Sequence, residues 1–256
     1  AGTEPPAEIA GLTERNATQM RTGADHDDPV LLALAGGAGE VKKEFLTSQV
    51  EFSTSPVGTL AAAREELTAF RRELASFARD HGAVVESERY DTVADWLGHI
   101  VDSHHVDALH LHVEVPDEED RVRALNAVRP WMPTLLAVSG NSPFADGHDT
   151  GHDSWRTVIM RRLPLSGCPP QFRDMHHYRT EVDRLIAQHV IPDVGSVCWA
   201  ARLSAQYPTV ELRLFDAQLS TDDALLVAAL GRALVETAVG ADDPVRTGDD
   251  IQASLW

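Results

Sequence analysis

Two short segments carry the side chains best suited to chemistry. In ALHLHVEV, residues 108–115, strand alternation sends every second side chain to one face. Leu111, Val113 and Val115 then lie on one side, with His110, His112 and Glu114 on the other. Imidazole and carboxylate are both competent metal ligands, although a strand whose polar face simply meets solvent would read the same way. In VELRLFD, residues 210–216, Val210, Leu212 and Leu214 alternate with Glu211, Arg213 and Phe215. A carboxylate beside a guanidinium can hold a metal together with a phosphate or substrate carboxylate; a cross-strand ion pair is the plainer alternative. Glu44 and Glu51 stand seven apart and share a face only if their segment is helical. The loop ADGHDTGHDS places His148 and His152 four apart among three aspartates, either a metal loop or merely a hydrophilic one. No GxSxG, HExxH, Walker or GxGxxG pattern competes with these groups.

The elements that must position them are legible in outline. Residues 1–40 read as loop with one short helix at most, near the apolar run 30–34. Residues 41–54 are rich in β-branched and aromatic side chains and read as extended, ending at Ser55-Pro56. Leu60, Leu67, Phe70, Leu74, Phe77 and Ala78 recur at helical spacing across 59–81, before Gly82. A second helix is expected over 91–103, and a third run over 117–138 is divided by Pro130 and Pro133. Residues 139–155 form a polar, glycine-rich loop of the kind that carries function on a rigid scaffold. Further helices are expected at 175–189 and 221–239, the latter opened by Ser220 or Thr221 with two aspartates in its first turn. A strand is expected at 207–216. Strands and helices mix without regular alternation, which points to α+β, a largely antiparallel sheet with flanking helices, in one domain spanning 1–256.

Composition narrows the classes. The chain has 256 residues, 40 Asp+Glu against 22 Lys+Arg, and a net charge of −18. A surface this acidic repels nucleic acid, so phosphate could be handled only with placed arginines and metal cations. No stretch approaches the roughly 20 apolar residues of a membrane span, and the N-terminus has no secretory pattern. Two cysteines, Cys168 and Cys198, without ligand spacing fit a reducing cytoplasm. A homodimer is the default assembly.

The segments KKEFLTSQVEFSTSPVGTL, HLHV, RPWMPTLLAVSGNSPFADGHDTGHDSWR, LPLSGCPPQF and RLSAQYPTVELRLFD together resemble the carboxylate–amine ligases of the glutamate–cysteine ligase type 2 group, over about residues 41–239. The resemblance implies a glutamine-synthetase-like catalytic fold and an ATP-dependent ligase using Mg²⁺ or Mn²⁺. Such an enzyme phosphorylates the γ-carboxylate of glutamate and passes the acyl group to cysteine or another amine. It implies Glu44, Glu51, His110 and Glu211 at the metal, and His110, His112 and Arg213 at the nucleotide. Arg213 falls near the transferred phosphoryl group, with Arg156 and Arg202 as substrate or phosphate contacts. Glu114 stands where the family more often has a small residue. Members usually begin with a strand carrying a cluster of glutamates, whereas the N-terminus here offers only GTEPPAE, where Glu4 matches poorly in its proline context. Either the chain is a trimmed relative or it is part of a longer one; if the glutamate strand is absent, one metal site is incomplete. VVESERY is shorter than the family pattern, and the chain stops at IQASLW where members continue.

Overall fold

The computed structural model describes residues 9–17, 40–43, 49–80 and 96–239. Its frame is a six-stranded sheet in which every neighbouring pair is antiparallel. The strands are β1 (Ile9–Ala17), β2 (Glu40–Lys43), β3 (Gln49–Ser53), β4 (Ala108–Glu114), β7 (Ala201–Leu203) and β8 (Thr209–Asp216), in the spatial order β2-β3-β1-β4-β8-β7. A separate hairpin, β5 (Phe144–Ala145) and β6 (His148–Asp149), lies in the polar loop. The helices are α1 (Leu60–Asp80), α2 (Glu118–Val128), α3 (Met132–Ser139), α4 (Trp155–Met160), α5 (Met175–Ala187) and α6 (Thr221–Val239). The mixed α+β class and the antiparallel sheet are as the sequence indicated. None of the described helices is long and apolar enough to cross a membrane.

Local sequence explains the helix ends. Asp117 accepts from the amides of Glu119 and Asp120, and three acids follow in the first turn of α2, where they meet the positive end of the helix dipole. Pro130 lies in a 3₁₀ turn, Arg129–Trp131, that separates α2 from α3. Ser220 Oγ accepts from the Asp223 amide at 3.1 Å and donates to its carboxylate at 2.6 Å, starting α6 at the expected place. The tip of the β5–β6 hairpin is Asp146-Gly147, with φ of 50° and 78°. Both central residues have positive φ, as the turn that matches strand twist requires.

Three expectations are corrected. Residues 9–17, read as loop, form β1 at the centre of the sheet, hydrogen-bonded to β3 on one side and β4 on the other. A first strand is therefore present; Glu14 is its one acid, and the register pairs it with Phe52 and Leu109. The extended segment 41–54 is two strands rather than one, and residues 44–48 between them lie outside the described residues. The apolar run 30–34, residues 91–95 of the second expected helix and the VVESERY segment are outside them too; of that helix, residues 96–97 are α-helical and Gly98–Ser103 is a 3₁₀ segment. Finally, alternation in β8 does not hold to its end. Leu109 pairs with Phe215 and Leu111 with Leu212, so two residues on β8, Arg213 and Leu214, oppose the single His110 on β4. The bulge at Arg213-Leu214 turns Phe215 back to the same face as Leu212.

That face is the core. Leu109, Leu111, Val113, Val210, Leu212 and Phe215 are all 0% exposed, and α6 lies against them at Gly231. A Cβ on Gly231 would stand 2.6 Å from Leu111 Cδ2 and 3.0 Å from Leu212 Cδ1. Alanine would recover about 1 kcal/mol of helix propensity. Both leucine side chains are fully enclosed and cannot swing away, and overpacking of a filled core costs about 1–3 kcal/mol. Gly231→Ala is therefore expected to lower stability on balance, seen as a reduced urea midpoint at unchanged slope. A raised midpoint would show that α6 can lift from the sheet.

Candidate functional site

The opposite face of β4, β8 and β7 gathers the polar groups. The register sets His112 opposite Glu211 and Glu211 opposite Arg202, and directly opposed residues share a face. Glu211 is at the centre and only 2% exposed. Arg202 Nε donates to Glu211 Oε2 at 2.6 Å, and Arg213 Nη1 donates to Oε1. His110 Nδ1 and His112 Nε2 stand 3.6 and 3.8 Å from Oε1. Arg202 is itself anchored, its Nη1 donating to the carbonyls of Gly195 at 2.7 Å and Val197 at 2.9 Å. His112 is oriented from behind by Thr209 Oγ1, 3.0 Å from Nδ1.

Burial alone would push the Glu211 carboxyl upward. The charge of Arg213, then those of Arg202 and His112, and the hydrogen bond from Arg202 outweigh it and hold the group well below the usual carboxylate range. Glu211 is thus an anion at any physiological pH, and it holds two guanidiniums in place. Both of its oxygens are engaged by cations. Among the described residues no group of three or more His, Cys, Asp or Glu could hold a metal ion. This donor set fits a guanidinium clamp and does not by itself fit Mg²⁺, which asks for several free oxygen ligands.

Of the expected site residues, His110, His112, Arg202, Glu211 and Arg213 come together. Glu51 lies on β3 with Arg15 and Lys42 as its register partners, in a row whose neighbours Ser53, Thr13 and His110 are paired across β3, β1 and β4. Glu44 is outside the described residues. Glu114 pairs with Thr209 at the strand end. His148 and His152 are exposed on the polar loop. Arg156 is placed differently from the others: it is 5% exposed, and its Nη2 and Nη1 donate to the carbonyls of Arg213 at 2.8 Å and Leu214 at 3.2 Å. Its guanidinium supports the bulge of β8 from the chain side.

Two residues were missed from sequence. Thr209 orients His112, and the pattern could have shown it, since 209 and 211 share a strand face. Asp216, 1% exposed, ends β8 and accepts from the Asn141 amide at 2.9 Å, Ser142 Oγ at 2.7 Å and Ser154 Oγ at 2.9 Å. It fastens both ends of the polar loop to the strand that carries Glu211 and Arg213.

The model of the family described as glutamate-cysteine ligase family 2 matches residues 7–254. The chain belongs to glutamate–cysteine ligase family 2. Among curated family members, a provisionally named glutamate–cysteine ligase 2-2 of Saccharopolyspora erythraea is 38% identical over 91% of this chain and 66% of its own length. A provisionally named glutamate–cysteine ligase 2 of Salinispora tropica is 39% identical over 81% of this chain and 60% of its own. The chain thus spans just under two thirds of the length of these curated relatives. The crystal structure of a bifunctional glutathione synthetase from Pasteurella multocida shares the fold, with a TM-score of 0.66 over 98% of this chain and 40% of that one, at 12% identity.

Proposed function

We propose that this family member is an ATP-dependent carboxylate–amine ligase that joins the γ-carboxylate of glutamate to cysteine or another amine through a γ-glutamyl phosphate. The observation that carries this reading is the clamp of Arg202, Arg213, His110 and His112 around buried Glu211 on one sheet face, in a chain of this family. Forming an acyl phosphate brings a carboxylate against a polyphosphate, and the charge of the transferred group must be met by fixed donors. A guanidinium presents a planar fork to phosphoryl oxygens. Arg213 is given that role, because Glu211 holds its guanidinium on the same sheet face as His110 and His112. Arg202, which spends Nε and Nη1 on Glu211 and the 195–197 carbonyls, holds the clamp and lends long-range charge. His110 and His112 flank the nucleotide side, with His112 held in one orientation by Thr209.

A divalent cation, Mg²⁺ or Mn²⁺, would supply charge screening for the nucleotide's phosphates; its carboxylates would come from outside the Glu211 clamp, with Glu44 and Glu51 the proposed ones. We place the reaction in the cytoplasm, on the cysteine economy of the chain.

Incubation of the chain with ATP, Mg²⁺, glutamate and a panel of amines is expected to release ADP and phosphate only when an acceptor is present. A second reading, a non-catalytic homologue that binds nucleotide, is favoured by one observation, the full engagement of both Glu211 oxygens. A melting shift with Mg·ATP and no ADP release with any acceptor would select it. Neither shift nor turnover would remove both.

A further inference from the structure

We propose that Asp216 and Arg156 form a positioning bracket that sets the reach of Arg213 and ties it to the polar loop 139–155. The inference rests on the role given to Arg213 above and adds two residues that act through it. A bulge leaves an extra residue out of the ladder, and here that residue lies at Arg213-Leu214. Strand pairing alone does not fix where a side chain at such a kink points. Arg156 does so from behind: its two Nη groups take the Arg213 and Leu214 carbonyls, the two backbone acceptors of the bulge itself. The fork of one guanidinium spans both, as an ammonium cannot.

Arg156 is aimed in turn by the loop. Its amide donates to Ser142 Oγ at 3.1 Å, and Ser142 Oγ donates to Asp216. The Asp216 carboxylate stands 4.0 Å from Arg156 Nη1. Ser154, at the other end of the loop, donates to the second Asp216 oxygen and caps α4 through the Thr157 amide at 3.3 Å. Helix α4 begins one residue before Arg156. Asp216, both loop ends, Arg156 and the bulge therefore form a closed circuit behind the site, and a ligand that moved loop 139–155 would move Arg213 with it.

The test is a double-mutant cycle on the whole chain with Arg156→Lys, Arg213→Lys and the pair. An interaction felt only in the transition state lowers kcat and leaves KM in place. Arg156→Lys is expected to lower kcat at least about tenfold, with KM for ATP and glutamate within about twofold. The double variant is expected to be no slower than Arg213→Lys alone, because residues that act through one another are non-additive. A purely structural role for Arg156 would multiply the two losses instead, and that outcome, or wild-type kcat in Arg156→Lys, overturns the bracket. If Arg156→Lys does not fold, Ser142→Ala, which removes the hydroxyl linking Arg156 to Asp216, takes its place in the cycle under the same criterion. A second readout does not need turnover. The side-chain NMR signal of Arg213, restrained by its pair with Glu211, is expected to lose its restraint in Arg156→Lys but keep it in Leu185→Ala, a core variant on α5. Should the unmutated chain turn over no acceptor, the ligase reading fails and this signal still decides the bracket: an unchanged Arg213 resonance overturns it.

Discussion

Replacing Glu211 with alanine is expected to cost about 3–5 kcal/mol of stability, the scale of removing one partner from a buried ion pair. The loss is large because Glu211 serves two guanidiniums at once. Without it, Arg202 and Arg213 are left on one sheet face without the anion they share, beside two imidazoles. Against a total stability of about 5–15 kcal/mol, this is enough to bring the chain to the edge of unfolding. Urea unfolding at neutral pH checks it, and a midpoint within error of wild type would show that the clamp is solvated and energetically idle. Glu211→Gln keeps the shape and loses the charge, so it isolates the electrostatic part. The folded-state Glu211 carboxyl sits below its unfolded value of about 4.3. Its contribution is therefore present above that unfolded value and is lost as pH falls through the folded one. Wild-type stability is expected to begin dropping below about pH 5 and to go on dropping into strong acid, while Glu211→Gln shows a shallower acid limb.

Arg213→Lys is expected to lower kcat about 10²–10³-fold, the scale of removing one preorganised donor from a developing charge. Lysine keeps a cation beside Glu211, so the fold is expected to hold and the melting temperature to move little. What is lost is the second arm of the fork. A planar guanidinium can pair with Glu211 and meet a phosphoryl oxygen from one rigid fork, and an ammonium on a flexible stem does not fix both directions. Steady-state ADP release with the best acceptor measures the effect. An equal loss in kcat and kcat/KM places the interaction in the transition state, whereas a rise in KM alone would make Arg213 a ground-state anchor.

How far the site was legible depends on the range of the forces that build it. Alternation in β4 is local, and it placed His110 and His112 on one face and Leu111 and Val113 on the other, as found. It failed at Phe215 because the bulge is imposed from elsewhere: Arg156, far along the chain, supplies the donors that the kinked carbonyls need. The same holds for Arg202. Nothing around it in RLSAQ announces an ion pair, and only the register of a three-residue strand sets it against Glu211. β1 was invisible for a related reason. IAGLTERNA has Gly11 and Asn16 and weak β-propensity, and it becomes a strand through pairing on both of its edges. Helices α1 and α6 have long apolar stripes and dedicated starts, which need no partner to be recognised.

The central place of β1 also bears on how the chain folds as it is made. It is the seam between two halves of the sheet: β2 and β3 join it on one side, and β4, β8 and β7 on the other. The first half can close as soon as the neighbouring strands are synthesised. The other edge of β1 must wait for β4, about a hundred residues later, and that pairing is a high-contact-order event of the slow kind. Until it forms, a ribosome-bound chain presents an open strand edge, the condition in which nascent sheets aggregate. The clamp around Glu211 lies wholly on the far side of that seam, so its strands can pair with one another before the sheet is whole.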